Sequence, residues 1–175
     1  MQKSKIWLSS PHMGGDEINY INSAFKENWI APLGPNVIGF EKDLQTYLDE
    51  NKKIAVLSSG TAAIHLSLIM LGVKRNDYVI CQSMTFSASA NPIKYMDAKA
   101  IFIDSEPDTW NMCPKALRKA IEYGIRENKK PKAVICVHLY GMPAQLDKIK
   151  SICDEYDIAL IEDAAEALGS KYKNK

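Results

Sequence analysis

Three features of the sequence combine residue type and position in a way that suits ligand chemistry. Asp163 ends an apolar run, and a carboxylate there needs a partner, either a protonated ring nitrogen of a cofactor or a helix N-cap or ion pair. The segment 59–62 opens a predicted helix, where free N–H groups favour a phosphate, although Ser59 or Thr61 could simply be the N-cap. Phe86 follows another apolar run, where it could stack on a planar ring or pack in the core.

Other chemistries have little support in the sequence. The three histidines, His12, His65 and His138, are widely spaced, and no two have the spacing of metal ligands. His65 falls within a predicted helix, where packing is its expected role. The nucleotide-binding patterns GxGxxG and GxxxxGK followed by Ser or Thr are absent, as are the GxSxG and HExxH motifs. No metal site is therefore expected.

The composition is that of an ordinary globular protein. The chain has 175 residues, 46% of them hydrophobic and 25% charged, and its 22 basic and 21 acidic residues leave a net charge of +1. This mixture excludes a disordered chain, and it gives no general field for gathering nucleic acid or anionic lipid. The N-terminus lacks the apolar region of a signal peptide, and the most apolar stretch is too short to span a bilayer.

The cysteines indicate the compartment. None of the four belongs to a CxxC pair, and two of them, Cys81 and Cys136, lie inside apolar runs, where a free thiol behaves as a small hydrophobic group. This pattern favours a reducing compartment without a disulfide framework. We therefore expect a cytoplasmic protein.

Apolar runs and helical patterns alternate from residue 54 onward. The runs are continuous, which is typical of strands buried on both faces of a parallel sheet. The predicted strands cover residues 54–57, 78–81, 100–103, 133–137 and 158–161. The predicted helices cover residues 61–71, 88–95, 114–128 and 146–156. The sequence thus predicts an α/β fold, with a mostly parallel central sheet flanked by helices.

Residues 1–53 are predicted to form a separate entry segment, and residues 54–175 the α/β domain. The entry segment has two helical patterns, at 14–28 and 40–48, separated by a loop at 31–35 whose two prolines and glycine break both periodicities. In an open parallel sheet, ligands bind beyond the carboxyl ends of the strands. The candidate residues that follow the strands are therefore expected to meet in one cleft.

Four motifs occur in a specific order along the chain. They are SSPHM at 9–13, WIAPLGPNV at 29–37 with Phe40 and Glu41, SSGTAA at 58–63, and EDAAEALG at 162–169. With these motifs, nearly all of the chain resembles the N-terminal half of the DegT-type sugar aminotransferases, which are fold-type I enzymes that use pyridoxal 5′-phosphate. The resemblance implies a portion of the large domain of that fold.

The resemblance assigns roles to the candidate residues. Gly60, Thr61 and Ala62 match the family's cup for the cofactor phosphate. Phe86 matches the aromatic residue that stacks on the pyridine ring. Asp163 matches the acid that bonds to the pyridine nitrogen and keeps it protonated, which preserves the ring as an electron sink.

Further positions match the surroundings of the cofactor. Glu166 matches a position near the ring hydroxyl, where many family members carry Gln or His. Five residues match loops that line the sugar-nucleotide side: Ser9, Pro11, Leu33, Gly34 and Pro35. In this family the site forms between two subunits, so the resemblance also implies a homodimer.

The implied reaction is a transamination. An amino group moves from an amino acid, expected to be glutamate, to the keto carbon of a nucleotide sugar. The loop at 31–35 and Glu166 resemble most the subgroup that acts on 4-keto-6-deoxy UDP-sugars in exopolysaccharide and bacillosamine-type pathways. The product would enter the biosynthesis of a surface polysaccharide or glycan.

The family's Schiff-base lysine does not match any lysine of this sequence. That lysine lies downstream of the EDAA motif in a Ser-Phe-…-Lys context, and it acts as covalent anchor and proton shuttle. The sequence stops at Lys175 before that context, and Lys171 and Lys173 do not match it. We therefore expect an N-terminal fragment of a protein about twice as long. The fragment should bind the cofactor weakly and not turn over alone.

Three alternatives remain open. One is a sugar 3-dehydratase of the same family, in which a histidine replaces the lysine downstream. Another is a non-catalytic fragment that only binds a phosphate ligand or a partner. A nucleotide-binding Rossmann enzyme is the third, and the missing glycine fingerprint argues against it.

Overall fold

The computed structural model describes residues 5–7, 10–49 and 51–174. They divide into two compact units, with the boundary between Val56 and Leu57. The first unit contains two helices, α1 (Glu17–Lys26) and α2 (Pro35–Leu48). The second unit contains the sheet and the remaining helices.

Helix α2 begins five residues before the predicted start at residue 40. The reason is Pro35, which was expected in a loop but is the first residue of the helix, where its missing N–H costs nothing and its fixed φ suits the helix. Gly34 precedes it with φ of 144°, and a Cβ at Gly34 would lie 3.1 Å from the Trp29 ring. Both features require a glycine at this position.

The strand predicted at residues 54–57 is wrong, because the described structure gives these residues no partner strand. The Val56 N–H instead donates to Oε1 of Glu41, on α2, at 2.9 Å. An apolar run becomes a strand only where a neighbouring strand completes its hydrogen bonds. Residues 54–56 therefore group with the first unit, whereas the sequence placed the boundary at 53/54.

The second unit is built on a four-stranded parallel sheet. Its strands are β1 (Tyr78–Gln82), β2 (Lys99–Ile103), β3 (Ala133–Val137) and β4 (Ala159–Asp163). The spatial order is β2-β1-β3-β4, and all three neighbouring pairs are parallel. This confirms the predicted parallel sheet, and each of these strands lies within two residues of its predicted bounds.

Helices connect and cover the strands. They are α3 (Gly60–Met70), α4 (Asn91–Tyr95), α5 (Pro114–Arg126) and α6 (Leu146–Glu155). The single helix predicted at 88–95 is divided into a 3₁₀ turn, Ser87–Ser89, and the short helix α4. Pro92 explains the division, because it has no N–H to donate back to the turn.

The sheet separates two apolar cores, because successive side chains of a strand point to opposite faces. On one face, Ile80 and Val134 pack with residues of α5 and α6, including Leu117 and Ile149. On the other face, strand residues pack with α3 and α4, through Val79, Cys81, Ile135, Leu68 and Ile93. The structure is therefore a three-layer arrangement of helices, sheet and helices, as the sequence predicted.

The burial of α3 gives a direct test of this core. Leu68 is fully buried, whereas Leu66, on the same helix, is 40% exposed. We expect Leu68→Ala to lower the free energy of unfolding by about 2–5 kcal/mol, because it leaves a cavity. Leu66→Ala should lower it by less than about 1 kcal/mol. Urea unfolding followed by circular dichroism measures both values, and equal losses would contradict the core described above.

Candidate active site

A crevice opens where the order of the strands reverses. From β1 the chain proceeds to β2 on one side and to β3 and β4 on the other. The ladder between β1 and β3 extends to the pair Cys81–Ile135. Beyond it, the fully buried side chain of Gln82 accepts a hydrogen bond from the Val137 N–H at 3.1 Å and donates to the Met84 carbonyl at 2.9 Å. Such a reversal point is where parallel sheets bind ligands.

A cavity of about 280 Å3 lies at this crevice. Its volume is just below the usual range of ligand pockets, about 300–1,000 Å3. The walls come from the start of α3, the loop after β1, the loop after β3 and the end of β4. Five of the six predicted cofactor residues line it together: Gly60, Thr61, Phe86, Asp163 and Glu166.

The start of α3 is capped by Ser59. The Ser59 side chain, in an extended backbone conformation, accepts a hydrogen bond from the Ala62 N–H at 3.1 Å. Ala62, the sixth predicted residue, is not among the residues that line the cavity. The N–H groups of Gly60 and Thr61 belong to the first turn, which has no intrahelical acceptors. Apart from its chain neighbours and the backbone of its own helix, a Cβ built on Gly60 meets no described atom within 4 Å, so there is open space at the positive end of the helix.

Asp163 is the last residue of β4, and it is held there by the pairing of its backbone with Val137 and by two hydrogen bonds to its carboxylate. Oδ2 accepts from the Ser89 hydroxyl at 2.6 Å, and Oδ1 accepts from the Ala165 N–H at 3.3 Å. The side chain is partly buried and lines the cavity. It can therefore present an oriented negative charge to a ligand cation.

Glu162 and Glu166, which lie one residue before and three residues after Asp163, form hydrogen bonds with the loop after β3. Glu162 lies 3.3 Å from Nε2 of His138, whose Nδ1 accepts from the Ala144 N–H at 3.1 Å. The proton of a neutral His138 ring is therefore on Nε2, facing Glu162. Glu166 accepts from the Tyr140 N–H at 2.8 Å. These contacts fix the loop against the end of β4.

Phe86 is the most exposed aromatic residue of the cavity. It lies in the loop that follows β1, just before the 3₁₀ turn, and its side chain is 79% exposed. A core role for Phe86 is thereby excluded in the described structure. A large exposed aromatic ring beside a cavity suits stacking on a planar ligand.

The residues expected on the sugar-nucleotide side lie in the first unit. Leu33, Gly34 and Pro35 line a small pocket of about 70 Å3 in that unit, together with Trp29. Pro11 is exposed in an irregular segment, and Ser9 lies outside the described residues.

Sequence reasoning missed three polar residues of the cavity: Thr85, Ser89 and His138. His138 directly follows a predicted strand and Thr85 lies four residues after another, so their positions carried a usable signal. Ser89 lies within a segment predicted as helix, and its contact with Asp163 spans 74 residues, so no local pattern reveals it.

Other kinds of site are less supported. Residues 5–7, 10–49 and 51–174 contain no group of three or more His, Cys, Asp or Glu side chains that could hold a metal ion. Over the same part of the chain, no helix has the length and apolar character needed to cross a bilayer. All four cysteines are free thiols.

Comparison with a protein-family model shows which family this chain belongs to. Residues 11–175 match the model described as the DegT/DnrJ/EryC1/StrS aminotransferase family. The chain belongs to this family. The match extends over both units, and it confirms the resemblance that the four sequence motifs indicated.

Individual relatives agree with this membership. EpsN of Bacillus subtilis strain 168, which carries the name of a pyridoxal phosphate-dependent aminotransferase, is 57% identical over 98% of this chain and 44% of its own length. GDP-perosamine synthase of Escherichia coli O157:H7 is 37% identical over 97% of this chain and 45% of its own length. The chain thus spans a little under half the length of these relatives.

A solved structure confirms the fold. The PLP form of Spr1654 from Streptococcus pneumoniae, a chain named as a sugar aminotransferase, superposes with a TM-score of 0.86 and 29% identity. The superposition covers 98% of this chain and 46% of that chain.

The free thiols provide a test of the burial described for Cys81. Burial, and then the charge of Asp163, raise the pKa of Cys81 to about 12. At pH 8 Cys81 is therefore almost entirely the unreactive thiol. We expect iodoacetamide to modify the partly exposed Cys113 in the folded chain while Cys81 stays unmodified, as measured by peptide mass spectrometry. In urea both should react at similar rates, and equal rates in the folded chain would contradict the described burial.

Proposed function

We propose that this chain is the cofactor-binding part of a pyridoxal phosphate-dependent aminotransferase. Its reaction transfers an amino group from an amino acid, expected to be glutamate, to a 4-keto-6-deoxy nucleotide sugar in the biosynthesis of a surface polysaccharide or glycan. One observation carries the proposal. A helix start, an exposed aromatic ring and an oriented carboxylate, from Gly60, Phe86 and Asp163, line the same cavity.

The residues of the cavity fit the three parts of pyridoxal phosphate. The open space at Gly60 and the free N–H groups of the first turn suit a phosphate. The exposed Phe86 ring suits a planar pyridine, and the Asp163 carboxylate suits a protonated ring nitrogen. When bound, the cofactor supplies an electron sink for the carbon that loses a proton. The task of Asp163 is to hold the proton on the ring nitrogen.

The names of the relatives support the substrate class. EpsN carries the name of a pyridoxal phosphate-dependent aminotransferase, and GDP-perosamine synthase is named for a sugar linked to a nucleotide. We assign Ser9, Pro11 and the loop of Leu33, Gly34 and Pro35 to the sugar-nucleotide side. The proposal includes a homodimer, as the family resemblance implies.

The cavity has no lysine among its described lining residues. Lys173 bonds to Asp147 at 2.7 Å instead, and Tyr172 bonds to the same carboxylate. An aminotransferase needs a lysine amine for its covalent link to the cofactor. We therefore propose that the 175-residue chain binds the cofactor without this link and does not turn over alone.

Cofactor binding tests the proposed site. We expect the 175-residue chain to bind pyridoxal phosphate, and Asp163→Asn to raise the dissociation constant about 10- to 100-fold, because a charge-assisted hydrogen bond is lost. Phe86→Ala should raise it about tenfold through lost stacking. Titration of the cofactor absorption band measures these constants.

Two matched variants serve as controls for this titration. Asp154→Asn changes an exposed acid paired with Lys150, and Phe102→Ala changes an exposed ring on β2 outside the cavity lining. Both should bind the cofactor as the unmodified chain does. If Asp163→Asn and Phe86→Ala also bind normally, the cavity is not the cofactor site.

The products distinguish transamination from the dehydration alternative. A protein that contains this chain together with the downstream lysine region should convert a 4-keto-6-deoxy nucleotide sugar and glutamate into an amino sugar and 2-oxoglutarate, detected by mass spectrometry. The 175-residue chain alone should give neither product. A sugar product that has lost a hydroxyl without gaining nitrogen would show that the reaction is dehydration and not transamination. Turnover by the 175-residue chain alone would contradict the proposal that it lacks the catalytic lysine.

A further inference from the structure

A buried hydroxyl lies against the candidate acid. Ser89 is only 1% exposed, and its Oγ donates a hydrogen bond to Oδ2 of Asp163 at 2.6 Å. This distance is in the range of charge-assisted O–H···O⁻ bonds, which are stronger than neutral ones. The two residues are 74 positions apart, so the bond joins the loop after β1 to the end of β4.

The direction of the hydrogen bonds around Ser89 follows from the number of protons. An ionised carboxylate only accepts, so the single hydroxyl proton of Ser89 faces Asp163. The Thr85 hydroxyl oxygen lies 2.8 Å from that of Ser89, and Thr85 must therefore be the donor in this pair. The result is a series of two hydrogen bonds, from Thr85 to Ser89 and from Ser89 to Asp163, in which each bond strengthens the other.

Ser89 provides the shorter of the two hydrogen bonds recorded for the Asp163 carboxylate. The other, from the Ala165 N–H, is 3.3 Å long. Ser89 also lies on the 3₁₀ turn that directly follows Phe86, and its N–H donates to the Phe86 carbonyl at 3.1 Å. One short segment thus carries the exposed ring and restrains the acid.

We propose that Ser89 is a positioning residue that fixes the Asp163 carboxylate relative to Phe86, so that acid and ring engage the same pyridine. The inference rests on the proposed function, because the pyridine is the ligand that the two groups share. Ser89 acts through Asp163, since its only proton is committed to that carboxylate.

A double-mutant cycle on cofactor binding tests this role. We expect Ser89→Ala to raise the dissociation constant of pyridoxal phosphate about tenfold. In the Asp163→Asn background the same change should have an effect of less than about twofold, because the group on which Ser89 acts is already lost. Ser87→Ala, at an exposed position of the same turn, should leave binding unchanged. An equal loss from Ser89→Ala in both backgrounds would overturn the proposal.

A second measurement needs no cofactor. Scalar couplings from NMR report the χ1 rotamer of Asp163 in the cofactor-free chain, and urea unfolding verifies that each variant is folded. We expect one rotamer in the unmodified chain and in Ser87→Ala, and an averaged coupling in Ser89→Ala. A single unchanged rotamer in folded Ser89→Ala would refute the positioning role. If the unmodified chain fails to bind pyridoxal phosphate while the rotamer is released as expected, the cofactor assignment fails and the restraint on Asp163 is supported.

Discussion

The side-chain amide of Gln82 replaces a main-chain hydrogen bond between β1 and β3. The crevice depends on this replacement. Where two parallel strands stop pairing inside a protein, their N–H and C=O groups lose partners, at a cost of about 1–3 kcal/mol for each buried group. Gln82 accepts from the Val137 N–H and donates to the Met84 carbonyl, so both groups remain bonded. The loops after the two strands can therefore separate without unpaired polar groups at the base of the cavity.

The same edge of the sheet collects the polar residues and lets them orient one another. Parallel strands direct their carboxyl ends to one side, so residues far apart in sequence meet there. Asp163 bonds to Ser89, and His138 bonds to Glu162 and to the Ala144 N–H. In the part of the chain that the structure describes, every buried side-chain nitrogen or oxygen has a hydrogen-bond partner. A site built this way holds its charged group in place before a ligand arrives, which lowers the ordering cost of binding.

The sequence predicted those elements whose local pattern and tertiary surroundings agree. Residues 133–137 form a continuous apolar run, and all five are buried in the strand β3 with the predicted bounds. Residues 54–57 have the same pattern, yet they form no strand, because an apolar run does not specify which strand will pair with it. Asp163 and Phe86 could be placed at the cavity from the sequence because they lie just beyond the predicted apolar runs. Ser89 could not, because its importance arises from a contact that only the folded chain creates.

The two interpretations of the segment 59–62, a helix cap and an anion site, share one set of donors. Ser59 caps α3 through the Ala62 N–H, so a phosphate at the helix start meets the N–H groups of Gly60 and Thr61 first. Using Ala62 as well requires the Ser59 hydroxyl to turn away, which costs about 1 kcal/mol of capping. The released hydroxyl can then donate to the phosphate, because Ser59 is both donor and acceptor. A serine cap therefore allows the helix to be stable without the ligand and to exchange one acceptor for another when the ligand binds, which an aspartate cap could not do because its charge would repel the phosphate.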